Sequence, residues 1–309
     1  MFCRVAFAIS ASIIAGSAFA VAPQRTFVAS YGNDLWPCSL VQPCRGFQAA
    51  INAVAPTGEV VALDSAGYGT MEIHKSVSVI VPPGIHAGLS PSTGIPLPGY
   101  PGQYGVVLID IQDADVVVLR GLNINHQGAV TGGIEWISTR GGKLQIEDVV
   151  VNGFPGEGLY MQAPAGRLSI KDSIFRNNTK GIYLFGVING KTVADHVRIE
   201  HSANQGMLVA GHMDALLLDS VISSNDIAVD TASSPDGQTL VTLIRCVFAN
   251  NNVPYRLDGN GLGGDIELAG SHFFRTGDPV KIGTQYNVYS HGNNSADRPL
   301  DITTSFPPQ

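Results

Sequence analysis

"KLQIEDVVVNGF" (143–154), "RLSIKDSIFRNN" (167–178), "ALLLDSVISSND" (215–226) and "VTLIRCVFANNN" (241–252) are variants of one phrase. Each alternates apolar and polar residues, turns at a polar residue, resumes with an apolar pair and ends in an Asn- or Gly-rich turn. Alternation with period two is the signature of a β-strand with one buried face. Stacking the copies puts Asp148, Asp172, Asp219 and Arg245 in one column. "DVVVLRGLNI" (115–124) adds Arg120 to that column and "KTVADHVRIE" (191–200) adds Asp195, at intervals of 23 to 28 residues. A blurrier copy, "GDIELAGSHFF", occupies 264–274.

A second set of short strands lies between these: "GGIEWI" (132–137), "EGLYMQ" (157–162), "KGIYLF" (180–185), "QGMLVA" (205–210) and "NDIAVD" (225–230). Alternation points Ile134, Leu159, Ile182, Met207 and Ile227 inward, with Trp136, Met161, Leu184, Val209 and Val229 two residues on. Coils of about 25 residues holding two or three strands, with no helical pattern between them, describe a solenoid and not βαβ units. One coil cannot bury its own face, so each stacks on its neighbours by parallel pairing.

At these positions the chain resembles the right-handed parallel β-helix repeat proteins, the pectate-lyase-like superfamily, over roughly residues 25–290. The fold expected is therefore all-β: a right-handed parallel β-helix with a short N-terminal capping helix. The right hand is implied by the resemblance and not by the periodicity. "CRGFQAAINAV" (44–54) supplies the cap, with Phe47, Ala50, Ile51 and Val54 on one helical face. The leader "RTFVASYGNDLWPCSLVQPCRGFQAAI" (25–51) also resembles that of a secreted bacterial β-helix family with no assigned activity.

The chain divides accordingly. Residues 1–20 read as a secretory signal peptide: Arg4, an apolar centre, then Ala18-Phe19-Ala20 before the cut. Residues 21–58 form the first strand, a cysteine loop and the cap; 59–290 form the β-helix, interrupted by an irregular loop at 81–105; 291–309 are a tail. The expected location is outside the cytoplasm, periplasmic or extracellular. No run is long enough to span a bilayer, so no membrane span is expected. Cys38 and Cys44 are the local pair for a disulfide in an oxidising compartment, a structural staple of roughly 2–2.5 kcal/mol. The formal charge is −7, and one unit more negative once Arg4 leaves with the signal, so no basic nucleic-acid footprint exists. No nucleic-acid partner is expected.

Two groups of residues carry candidate chemistry. The residues between the inward positions face outward: Glu135, Tyr160 and Tyr183, continuing to Leu208 and Ala228, with Gln162 and Phe185 alongside. Rungs about 4.8 Å apart stack Tyr160 on Tyr183, and such an aromatic ladder offers flat faces and polar edges to sugar rings. It equally serves to stabilise the stack or to lie beneath a loop. Glu135, Tyr160, Gln162, Tyr183 and Phe185 are accordingly the ligand-binding candidates. The loop 81–105 carries Tyr100 and Tyr104, which either overhang that face as a lid or belong to an irregular coil.

The second group is the carboxylate row Asp148, Asp172, Asp195 and Asp219. Neighbouring carboxylates repel unless paired, capped or metal-bound; general acid/base catalysis and turn capping both suit them. In relatives active on polyuronates, the resemblance implies, such residues hold calcium. Apart from that case no cofactor is expected. His196 and His201 are too poorly spaced on a strand and turn to chelate a metal together. No nucleophile elbow, zincin motif or phosphate loop is present, nor the aspartate and arginine signatures of polygalacturonases and pectin methylesterases. The leading expectation is a secreted carbohydrate-binding or surface-scaffold protein. The alternatives are a polysaccharide lyase, hydrolase or epimerase, and a structural adhesion or envelope protein.

Overall fold

Apolar residues at every second position can leave water only by facing other copies of the same pattern, and the chain coils so that they do. The computed structural model describes residues 21–232, 237–259, 263–283 and 285–307; the expected signal peptide lies outside them. A representative coil contains three strands, Lys143–Glu147, Val150–Asn152 and Glu157–Gln162. The next coil repeats them as Arg167–Lys171, Ile174–Arg176 and the start of the long strand Lys180–Asp195.

Pairing between coils is parallel and in register. Leu144 and Ile146 lie beside Leu168 and Ile170, Val151 beside Phe175, and Leu159 and Met161 beside Ile182 and Leu184. All of these side chains are buried, and together with Trp136 they form one continuous core along the axis. Among the described residues, the short-strand face alone is a ladder of ten strands, from Ala66–Gly67 to Ser295–Ala296. Pairing therefore continues past residue 290, through Thr304–Ser305 on another face. Part of 81–105 is also a regular rung, since Ala87–Leu89 pairs with Leu122–Ile124. The exception among the described pairings is antiparallel, between Ile95–Pro96 and Tyr104–Gly105.

The first two strands of each coil meet at a bend with left-handed backbone. Gly121, Asp148, Asp172, His196, Asp219, Arg245 and Gly270 all occupy it, with φ between 47° and 76°. Asp and Gly tolerate that region better than most residues, which explains why a polar residue recurs there. The carboxylate row is corrected on this point. Asp148, Asp172 and Asp219 share the bend column, but on the coil of Asp195 it is His196 that occupies the bend; Asp195 and Arg120 sit one residue earlier, in register with Lys171 and Glu147. His201 occupies a different left-handed bend, φ 54°.

Two polar columns finish the turns from inside. Ser173 and Ser220 accept from the backbone N–H of Val149 and Val197 on the preceding coil, both at 3.1 Å. Asn178, Asn225 and Asn251 likewise accept from Phe154, Ser202 and Asn225. Cys246 fills the serine column as a buried free thiol. Burial, the leading cause, raises its pKa to about 11, so it packs and does not react.

At the N-terminal end, the helix Phe47–Ala53 buries Phe47, Ala50 and Ile51. The disulfide Cys38–Cys44 closes the preceding loop, with Cα atoms 4.6 Å apart. That loop holds the first strand, Arg25–Val28: the Phe27 N–H donates to the Cys38 carbonyl and the Cys44 N–H to the Phe27 carbonyl. The cysteines thus extend the cap over the first rung, where an open coil would otherwise expose apolar side chains and unpaired backbone.

Candidate binding cleft

The outward face carries the ladder Leu108, Glu135, Tyr160, Tyr183, Leu208, Asp230 and Arg256, one residue per coil. Its upper end corrects the sequence register. Val229, not Ile227, lies beside Met207, so the ladder passes from Leu208 to Asp230, and Ala228 falls outside it. A slip of two residues keeps every inside–outside assignment intact, so alternation alone cannot detect it.

Tyr160 and Tyr183 stack as the rung spacing requires, with ring centroids 5.0 Å apart and planes tilted by 40°. In the neighbouring outward column, Gln162 pairs with Phe185, and the Tyr183 and Phe185 rings meet at 6.5 Å. The five candidate ligand residues therefore converge on one area, but they do not form an open surface. The segment 94–105 folds back over the ladder as a roof, because Gly94 and Ile95 lie against Tyr104 and Gly105.

Tyr100 is the tip of that roof. Its hydroxyl lies 2.5 Å from Gln162 Oε1, to which it donates, and 3.1 Å from the Tyr160 hydroxyl. The Tyr100 ring meets Tyr160 edge-on at 6.1 Å. On one side of this tie is a cavity of about 290 Å³, lined by Tyr100, Gln103, Glu157, Tyr160, Tyr183 and Phe185. On the other side, Tyr100, Asp110, Thr139 and Gln162 help line a second hollow of about 360 Å³. Tyr104 instead anchors the base of the roof, where its N–H donates to Thr131 Oγ1 at 2.8 Å.

Glu135 departs most from expectation. Alternation turns it outward, yet the roof leaves it only 1% exposed. Gly105 and Gly132 make room for it: a β-carbon on Gly132 would stand 1.6 Å from Glu135 Oε1, and one on Gly105 2.7 Å from its Cγ. Burial raises its pKa well above the ordinary carboxylate range. The negative charge of Glu157 raises it further and Lys180 opposes this more weakly. Tyr160 is also shifted upward, first by burial and then by its hydrogen bond with Tyr100.

Three contributors escaped the sequence reading. Glu157 and Lys180 are paired across adjacent coils, Nζ to Oε1 at 2.8 Å, and the ammonium lies 5.1 Å from the Tyr183 ring centroid. Both open their strand phrases, "EGLYMQ" and "KGIYLF", so opposite charges at matching positions were a readable signal. Gln103 offered no such signal, since only the roof's fold brings it to the cavity.

The aspartate row lies elsewhere, at the bends. Asp219 is held by two bonds from Arg245, at 2.7 and 2.6 Å, and the guanidinium lowers the Asp219 pKa. Asp195 bonds His196 Nδ1 at 2.7 Å. Asp195, His196 and Asp219 offer ligand atoms within 4.8 Å of one another, but a cation there would compete with Arg245 for Asp219. Asp148 and Asp172 are exposed and belong to the same line of bends.

The coils and cap form a parallel β-helix, and its fold, right-handed as in that enzyme, matches the fold of a pectate lyase. The crystal structure of pectate lyase Pel9A aligns with a TM-score of 0.65 at 12% identity, covering 91% of this chain and 78% of that one. The structure of XylC in complex with xylose aligns with a TM-score of 0.57 at 8% identity, covering 90% and 76%. At such identities the likeness is one of fold. No protein-family model matches the sequence, and no curated protein matches it either. No helix among the described residues is long and apolar enough to cross a membrane.

Proposed function

We propose that this protein binds carbohydrate in the roofed cleft, acting outside the cytoplasm. The observation that carries the reading is the convergence of Tyr100, Tyr160, Tyr183 and Phe185 with Gln103 and Glu157 around one cavity of about 290 Å³. Aromatic faces match the apolar faces of a sugar ring, and the amide and carboxylate match its hydroxyls. The neighbouring folds support the class: one is a pectate lyase, and the structure of the other holds xylose. The disulfide and the expected signal peptide support the location.

The test is a glycan array probed with the wild type and with Tyr183→Ala/Phe185→Ala. This variant leaves the bonds among Tyr100, Tyr160 and Gln162 in place. Losing two ring contacts of about 0.5–1.5 kcal/mol each lowers affinity by about fivefold to 150-fold. An array on which the wild type retains nothing, or a double variant that binds as the wild type does, would sink the reading.

One observation favours a catalytic variant of it. Burial and the charge of Glu157 raise the Glu135 pKa, while Glu157 itself is paired with Lys180, and two acids in unequal environments are the arrangement used by glycoside hydrolases. The same incubations, read for new reducing or unsaturated ends, separate binding from cleavage. Loss of any such ends in Glu157→Gln is the expected signature of catalysis.

A further inference from the structure

The cleft's charge pattern narrows the ligand. Glu157 lines the cavity and Asp110 lines the adjoining hollow, while no lysine or arginine lines either among the described residues. Lys180, beside the first cavity, is already engaged by Glu157 at 2.8 Å and by the face of Tyr183. The remaining lining groups are aromatic rings, hydroxyls and amides, including Gln103 and Gln162. We infer that the cleft takes an uncharged glycan and discriminates against uronate polymers, even though a pectate lyase shares the fold. This inference rests on the carbohydrate-binding reading and specifies the class of sugar.

The charge of Glu157 is also felt by its buried neighbours. At Glu135, the repulsion from Glu157 outweighs the attraction of Lys180. Glu157 likewise shifts Tyr183 upward, after burial. A uronate carboxylate entering the cavity meets the same sign of potential with no lysine or arginine in the described lining to receive it, in a site too sheltered for full screening. A neutral ring loses nothing on that account and gains an ionic acceptor in Glu157 for its hydroxyls. Selection here comes from a repulsive element as much as from attractive contacts.

The measurement is calorimetric titration of the full mature chain with xylo-, cello- and galacto-oligosaccharides and with oligogalacturonate of matched length. The oligogalacturonate titration is run in EDTA and again with calcium. The wild type is expected to bind at least one neutral series about tenfold or more tighter than oligogalacturonate. Raising salt from about 0.02 M to about 0.5 M is expected to leave neutral binding unchanged and to strengthen residual uronate binding. Glu157→Gln frees Lys180 from its partner, so it is expected to raise uronate affinity severalfold while lowering neutral affinity. Circular dichroism and thermal melting confirm that the variant is folded. Tighter binding of oligogalacturonate than of every neutral series, with or without calcium, overturns the inference and leaves the binding reading standing. Binding of no series at all overturns the binding reading itself.

Discussion

Glu135 shows what a single position can reveal and conceal. Its place between two inward residues was legible, but its burial was not, because the roof that covers it comes from 94–105, a segment without periodicity. Since its folded pKa lies above the unfolded value, it contributes stability fully at low pH. That contribution declines as pH rises from about the ordinary glutamate value, 4.5, through the raised folded value. Glu135→Gln removes the titration, so its melting temperature relative to wild type should climb between pH 5 and pH 8, in about the range where glutamates and histidines titrate. A difference that stays flat with pH would show the carboxyl to be solvated. Gly132→Ala drives a methyl into Glu135 Oε1, which has no exposed space to retreat to. It should cost roughly 1–3 kcal/mol in denaturant unfolding, and much less in a Glu135→Ala background, because the two changes share one volume.

Among elements, the bends and the roof answer different questions. The bend column was nearly legible: recurring Asp and Gly signal left-handed backbone, but Asp195 and His196 are adjacent polar residues that only φ separates. If the aspartates there serve the backbone, Asp172→Asn should be neutral, whereas Asp172→Val should lose about 1–2 kcal/mol by forcing a β-branched residue into that region. Equal stability of the two variants would remove the backbone explanation. The roof was legible only as an interruption. Tyr100 divides the outward groove into hollows of about 290 and 360 Å³, and its ties to Tyr160 and Gln162 are two hydroxyl contacts. Tyr100→Ala should join the hollows at a stability cost of about 1 kcal/mol. The expected result is a shift of preference toward longer oligosaccharides, read from affinity against chain length; an unchanged preference would mean that Tyr100 does not set the cleft's length.

For the molecule as a whole, the repeat that made the fold legible also makes its stability nearly one-dimensional. Each coil contacts chiefly its neighbours, so damage at one end is felt there first. The disulfide Cys38–Cys44 closes a short loop against Arg25–Val28, several coils from Tyr160 and Tyr183. Its removal by Cys38→Ser/Cys44→Ser should cost about 2–2.5 kcal/mol on the chain-entropy estimate. That loss should appear as fraying and not as uniform weakening. Hydrogen exchange is expected to quicken in Arg25–Val28 and the helix Phe47–Ala53, with the amides of Glu157–Gln162 keeping their protection. The two regions communicate through successive rungs, among them Gly58–Ala62, Val77–Ile80 and Val116–Arg120, each held by its own parallel pairing. Glycan affinity should therefore survive loss of the staple at temperatures below the onset of fraying. Parallel loss of protection in the cap and the cleft would instead mean that the solenoid unfolds as one cooperative unit, with the cap as its keystone.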